Sequence, residues 1–359
     1  MVSVKDFTEY GFDFSSCRRI SLEDYEMLRS NGCIPQKNDI LIGKDGARFF
    51  EDIIIYSQNE QPALLSSIAI LRCNEKMILP DFLYYILKVP SFKRNVRENY
   101  GSGSAIPRIV LKDFRRMKIM YPTLEEQQKI VSCLKGLDEK IQSNVRINDN
   151  LQQQAAALFS SLYDRSNTEV RFTDLIQILG GGTPKTGENT YWNGNISFFT
   201  PKDVGAPYTL ITEKTITEEG LSHCNSRLYP VNTVFVTARG TVGKVGMPGV
   251  PMAMNQSCYA LVGKETHQLL VYFYTLKAVD RLKHKASGAV FDAITTRDFE
   301  SEQIMKLSDD DAKAFLCIAE PMFQKVLNNC TENLRLSTLR DSLLPKLMSG
   351  EIDVSAVQL

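Results

Sequence analysis

The sequence predicts an α+β chain with a pseudo-twofold internal repeat: two mixed α/β domains, each followed by one long coiled-coil helix. Three observations predict it. Apolar residues return at alternating steps of four and three along Ile130, Leu134, Leu137, Ile141, Leu151, Ala155, Leu158 and Leu162, which is a heptad seam. The seam recurs in Phe315, Ala319, Met322, Val326, Leu336, Leu343 and Leu347, and its polar interruptions recur too, Asn144 and Asn148 answering to Asn329 and Asn333. Upstream of each helix the globular parts also match in order. Val4-Lys5-Asp6-Phe7 answers to Pro201-Lys202-Asp203-Val204, and Asn38 to Ile42 with Gly46 answers to Asn232 to Val236 with Gly240. Ser102-Gly103 and Lys112-Asp113-Phe114 answer to Ser287-Gly288 and Arg297-Asp298-Phe299.

The expected division is a first domain at 1–122, a helix at 123–165, a second domain at 166–307, a helix at 308–350 and a tail at 351–359. In the first domain, Asp39 to Ile42, Ile53 to Tyr56 and Ser67 to Leu71 are β-branched or aromatic runs bounded by Gly, Asn and Pro, and read as strands. Pro80 to Leu87 reads as a helix with proline in its first turn. In the second domain Ile196 to Thr200 reads as a strand, and Val234 to Lys244 as a strand entering a glycine-rich loop. Only Met1-Val2-Ser3-Val4 precede Lys5-Asp6, whereas Val170 to Thr200 precede Pro201-Lys202-Asp203. The first domain is therefore expected to be N-terminally shortened.

Composition excludes several classes. At 43% hydrophobic residues the chain has an ordinary core fraction, and no run approaches a membrane span. No signal-peptide pattern follows Met1, so a cytoplasmic location is expected. Eight cysteines without a C-x-x-C pair suggest neither a zinc site nor a disulfide framework, and His223-Cys224 has no further ligand at metal-binding spacing. No metal and no cofactor are expected. Formal net charge is zero, but its distribution is uneven. Lys88, Lys93, Arg94, Arg97, Arg108, Lys112, Arg115, Arg116 and Lys118 surround the Gly101 to Ser104 loop against only Glu98 and Asp113. The second copy has Lys277, Arg281, Lys283, His284 and Lys285 leading into Ser287-Gly288, then Arg297. A single basic run is ordinarily a solvated face. Its repetition suggests a polyanion partner, because phosphate neutralisation supplies sequence-independent affinity.

The glycines after Leu179 lack the G-x-x-x-x-G-K-[ST] spacing of a nucleotide cradle. Candidate DNA contacts are Lys185, Tyr191, Arg239, Thr241, Lys244, Asn255 and Gln256 in the second domain and Lys44, Arg48, Ser102 and Arg108 in the first. Gly181, Gly240 and Trp192 are expected to serve turn geometry and core.

Four segments, GGGTPKTGENTYWNGNISFFTPKDV, VFVTARGTVGKVG, TLEEQQKIVSCLKGLDEKI and LRDSLLPKLMSGEIDV, together resemble the specificity subunit of type I restriction-modification systems, over nearly the whole chain. The resemblance implies two target-recognition domains, each reading half of a bipartite double-stranded DNA sequence. It also implies two long antiparallel helices that dock two methyltransferase subunits, and a complex joined by restriction subunits. The shortened first domain departs from this pattern, which leaves open whether it reads DNA alone or is compensated by dimerisation. No N-P-P-Y, D-P-P-Y or F-x-G-x-G segment is present, so no methyltransferase active site is expected and the chain reads as a non-catalytic subunit. Two other readings stay open here: the specificity subunit of a type IIB-like system with a fused methyltransferase-nuclease, and a coiled-coil scaffold that binds no DNA.

Overall fold

The computed structural model describes residues 1–8, 11–46, 48–101, 107–205, 207–285 and 293–355. Two compact units divide the chain, residues 1–140 with 335–359 and residues 141–334, so each long helix is shared between them. Chain order in the first domain is β1 (Phe7–Thr8), β2 (Gly11–Phe12), α1 (Leu22–Ser30), β3 (Ile40–Gly43), β4 (Ile53–Ile55), β5 (Ile68–Leu71), α2 (Pro80–Lys88), α3 (Pro90–Asn99) and α4 (Leu111–Phe114), and the long helix α5 (Leu124–Asp164) follows. The second domain runs β6 (Thr168–Arg171), α6 (Phe172–Leu175), β7 (Ile176–Gly180), β8 (Trp192–Phe199), β9 (Tyr208–Thr209), β10 (Lys214–Ile216), α7 (Glu218–Ser222), β11 (Val234–Thr237), β12 (Val245–Pro248), β13 (Met252–Met254), β14 (Cys258–Gly263), α8 (Gln268–Lys285), α9 (Thr296–Ser301) and β15 (Gln303–Lys306). It ends in the second long helix, α10 (Asp309–Ser349). No helix among the described residues is long and apolar enough to cross a membrane.

In the first unit β3 lies between β4 and β5, antiparallel to both, and all four of its residues are buried. An uninterrupted apolar run is what a strand covered on both faces needs. Helix α2 begins on Pro80, whose missing N–H is no loss in a first turn, and buries Phe82, Leu83, Tyr85, Ile86 and Leu87. Leu83 and Leu87 face the sheet core, while Phe82, Tyr85 and Ile86 pack with Ile130, Val131 and Leu134 of α5 and with Leu344 and Leu347 of α10. Polar groups fix this packing. The buried Gln127 amide donates to the Met77 and Pro122 carbonyls at 3.0 and 2.9 Å and accepts from Leu79 N–H at 2.9 Å. Asp138 accepts from Tyr85 Oη and from Arg340 Nη1, each at 2.7 Å.

The basic stripe around the Gly101 loop is only partly free. Lys93 Nζ lies 2.8 Å from Glu51 Oε2, and Arg97 pairs with the other oxygen of the same carboxylate. These cations secure α3 to the turn after β3, and the sequence hides this because Glu51 lies far upstream of both. Burial raises the Glu51 carboxyl, but hydrogen bonds and charge from Lys93 and Arg97 together outweigh it and hold the group below its ordinary value. A depressed folded-state pKa gives stability that is complete above the unfolded-state value, about 4.3, and lost as pH falls through the folded value. Glu51→Gln is therefore expected to flatten the fall in stability below about pH 4.5, by less than ~1 kcal/mol because the pair is partly solvated. Chemical denaturation of both proteins at a series of acidic pH values checks this, and parallel stability curves would contradict it.

The second unit has a five-stranded sheet ordered β7-β14-β11-β12-β9, a three-stranded sheet β10-β8-β13 and the ladder β15-β6. Helix α8 is buried on most sides. Phe273 stacks on Phe159 of α5 at 5.0 Å, and Phe315 of α10 meets both rings edge-on at 5.4 and 5.1 Å. The buried face is wider than the expected seam. Phe159 and Phe323, and in the first unit Val131 and Leu344, are buried although the heptad count omits them. Leu137, Leu151, Leu158, Met322, Leu336 and Leu343 are only half-buried. A heptad pattern describes one helix against another, whereas these helices also pack on the globular cores.

Candidate nucleic-acid interface

Four loops of the second unit come together through backbone bonds. Gly182 N–H donates to Met254 O at 3.0 Å, Asn255 N–H to Phe199 O at 2.9 Å and Ala238 N–H to Ser257 O at 2.8 Å. These bonds join the turn after β7, the end of β8, the loop after β11 and the β13–β14 turn. A Cβ on Gly181 would lie 2.2 Å from Asn255 O, so only glycine admits this approach, and Gly240 has φ +83. Side chains add to the junction: Thr183 Oγ1 bonds Gln256 Oε1, and Thr241 Oγ1 donates to Pro201 O at 3.1 Å.

Between the loops lies an open concavity of about 340 Å³, lined by Thr200, Pro201, Lys202, Glu213, Lys214, Arg239, Gly240, Asn255 and Ser257. Of the sequence candidates, Arg239 and Asn255 line it. Gln256 and Thr241 bond at its rim, while Lys185, Tyr191 and Lys244 are not among its lining residues. Tyr191 stacks on His223 at 4.9 Å, and the Lys185 carbonyl accepts from Trp192 Nε1 at 3.1 Å. Trp192 is half-buried and meets Phe198 edge-on at 5.5 Å.

Sequence reasoning omitted Lys202 and Lys214. Lys202 belongs to the Pro201-Lys202-Asp203 repeat anchor, where its neighbour Asp203 accepts from Thr200 N–H at 2.8 Å and so shapes the turn. Lys214 is placed only by sheet register, opposite Phe198, with its ammonium 5.6 Å from the Trp192 ring centroid. Cys258, next to the concavity, is no activated nucleophile: burial first, then Asp203, pushes its thiol up to about 12. Among the described residues no cluster of three or more His, Cys, Asp or Glu could hold a metal ion.

The first-unit candidates are differently placed. Lys44 Nζ lies 3.1 Å from Asp45 Oδ1, and Arg48 pairs with Asp52 at 3.0 Å. Arg108 is exposed on a segment bridged to Asp45, and Ser102 lies outside the described residues. The seam asparagines meet in the second unit. Asn144 Nδ2 donates to Asn333 Oδ1, and Asn329 Nδ2 to Asn148 Oδ1, each at 2.8 Å.

The sequence profile of the type I restriction modification DNA specificity domain matches residues 5–153 and 165–306. The chain is 22% identical over 304 residues to the type I restriction enzyme MjaIX specificity subunit of Methanocaldococcus jannaschii, covering 77% of this chain and 70% of that protein. It is 23% identical over 367 residues to the HindI specificity subunit of Haemophilus influenzae, covering 79% and 80%. Its fold is similar to that of the type I restriction-modification S subunit from M. genitalium, with TM-score 0.56, 18% identity and coverage of 87% and 83%.

Proposed function

Because the chain belongs to the family of type I restriction-modification DNA specificity domains, which matches it twice, we infer that it is the DNA sequence-recognition subunit of a type I complex. The observation that carries this reading is the repetition of one loop architecture. Lys44 N–H donates to Ser67 O and Lys44 O accepts from Ile109 N–H, just as Ala238 N–H donates to Ser257 O and Ala238 O accepts from Ile294 N–H. Gly46 and Gly240 follow with φ +95 and +83. One loop geometry built twice suits two half-sites.

Residues 1–122 and 166–307 act as the two recognition domains, each reading half of a bipartite target. Residues 123–165 and 308–350 pair as an antiparallel coiled coil that docks methyltransferase subunits, and restriction subunits join the complex. In support of that pairing, Asn144 bonds Asn333 while Asn148, further along α5, bonds the earlier Asn329 of α10. The chain itself carries no catalysis. The donors around the second-unit concavity face DNA, and Lys185, Tyr191 and Lys244 extend that surface. In the first unit Arg48, Ser102 and Arg108 contribute, with Lys44 positioning its loop through Asp45.

The test is co-expression of the full chain with its methyltransferase subunit and genome-wide sequencing of modified bases. The expected product is a bipartite motif with an unread spacer. A continuous motif, or modification that does not depend on this chain, would overturn the reading.

A further inference from the structure

The concavity of the second unit brings three cationic side chains together. Arg239 supplies a guanidinium, and Lys202 and Lys214 supply ammonium groups. Asn255 is the informative member. Its Oδ1 accepts the backbone N–H of Ser257 at 3.1 Å, and a backbone N–H can only donate, so this bond fixes the orientation of the amide. Asn255 thereby adds its Nδ2 donor to these cations. Glu213 is the one acidic lining residue, and its carboxylate lies 3.9 Å from Lys202 Nζ. Gln256 differs, since its amide meets only a hydroxyl, which donates or accepts as needed.

The first unit does not repeat this arrangement, although its backbone does. Val2 bridges Leu64 in parallel and Leu65 N–H donates to Val2 O, as Met254 pairs with Phe199 and Asn255 N–H donates to Phe199 O. That register sets Leu65 at the place of Asn255. By the same count from Lys44 and Ala238, Asp45 stands at the place of Arg239. A carboxylate and an exposed leucine thus replace the guanidinium and the amide. Lys5 keeps the place of Lys202, since Asp6 accepts from Ser3 N–H as Asp203 accepts from Thr200 N–H, and the nearby cation Arg108 lies on the opposite segment.

We propose that the concavity formed by Lys202, Lys214, Arg239 and Asn255 holds one backbone phosphate of the DNA, independently of base sequence, and that the first unit has no equivalent phosphate site. This rests on the reading that the chain binds DNA. A phosphate is an anion that offers acceptors only, so the three cations and the Asn255 amide suit it whatever the neighbouring base, with Glu213 drawn to Lys202.

The experiment uses the full chain with its methyltransferase subunit and a randomised DNA duplex. Binding constants are measured across salt concentrations, and bound sequences are read out. For Arg239→Ala and, separately, Asn255→Asp, which keeps an oxygen for Ser257 N–H, the expected result is weaker binding with an unaltered sequence preference. For Arg239→Ala the slope of log affinity against log salt should fall by about 0.9. Lys202→Ala, at a highly exposed position where misfolding is not at issue, should also lower the slope, and Asp45→Ala should not. Loss of preference at a single base position, an unchanged slope in both Arg239→Ala and Lys202→Ala, or an equal fall for Asp45→Ala would overturn the proposal. If the unmodified complex fails to retain DNA even at low salt, it is the functional reading that fails.

Discussion

Exchanging residues 168–306 for the corresponding segment of another specificity subunit is expected to change one half of the modified sequence and leave the other half as it was. The structure sets the cut points. Thr168 pairs with Lys306 and Arg171 with Gln303 in the β6–β15 ladder, so a transplant bounded by this ladder carries its own closing strands. The recipient keeps Phe159, Tyr163 and Phe315. The donor must therefore present rings equivalent to Phe273 and Tyr274, which pack on them here. Met305 N–H also donates to Tyr163 Oη at 3.2 Å across the boundary. All five strands of the larger sheet and every residue lining the concavity lie inside the segment, so the readout proposed for that half is expected to move with it. Sequencing of modified bases in cells carrying each chimera gives the answer: two altered halves, or none in a chimera that still modifies DNA, would dismiss the two-module reading.

The second large effect concerns Asn144, Asn148, Asn329 and Asn333. A polar residue in an apolar seam lowers stability and selects register, since a slipped pairing strands a buried amide at a cost of about 1–3 kcal/mol. Asn144, Asn148 and Asn329 are buried, and their Nδ2 groups bond across to the other helix. Replacing all four with leucine is expected to stabilise the chain by a few kcal/mol in total, about 5–10 °C in Tm, while weakening the choice of register. Calorimetry measures the first effect. For the second, Leu151→Cys is combined with Val326→Cys in one protein and with Met322→Cys, one turn out of step, in another. Crosslinking of the out-of-step pair should appear only in the leucine-substituted background. A clear fall in Tm would count against a mutual seam.

Much of this architecture was legible because it depends on local pattern and repetition. Pro80 opens α2 through its own backbone chemistry, the apolar run at Ile40 demands a doubly covered strand, and a seam repeated with its asparagines identifies two long helices without reference to anything they touch. Four segments in order were enough to indicate the family. What the sequence left undecided involves partners far apart in the chain. Glu51 takes two cations from the basic stripe, Lys214 reaches the concavity through its register opposite Phe198, and Phe159 is buried by an α8 more than a hundred residues downstream. Charge and hydrophobicity can be counted along a chain, but whether a cation is free or paired, and which helix face is covered, depends on which distant groups folding brings within a few ångströms. Tertiary structure alone separates Arg239, open at the concavity beside Lys202 and Lys214, from Lys44, held by Asp45 in the matching loop.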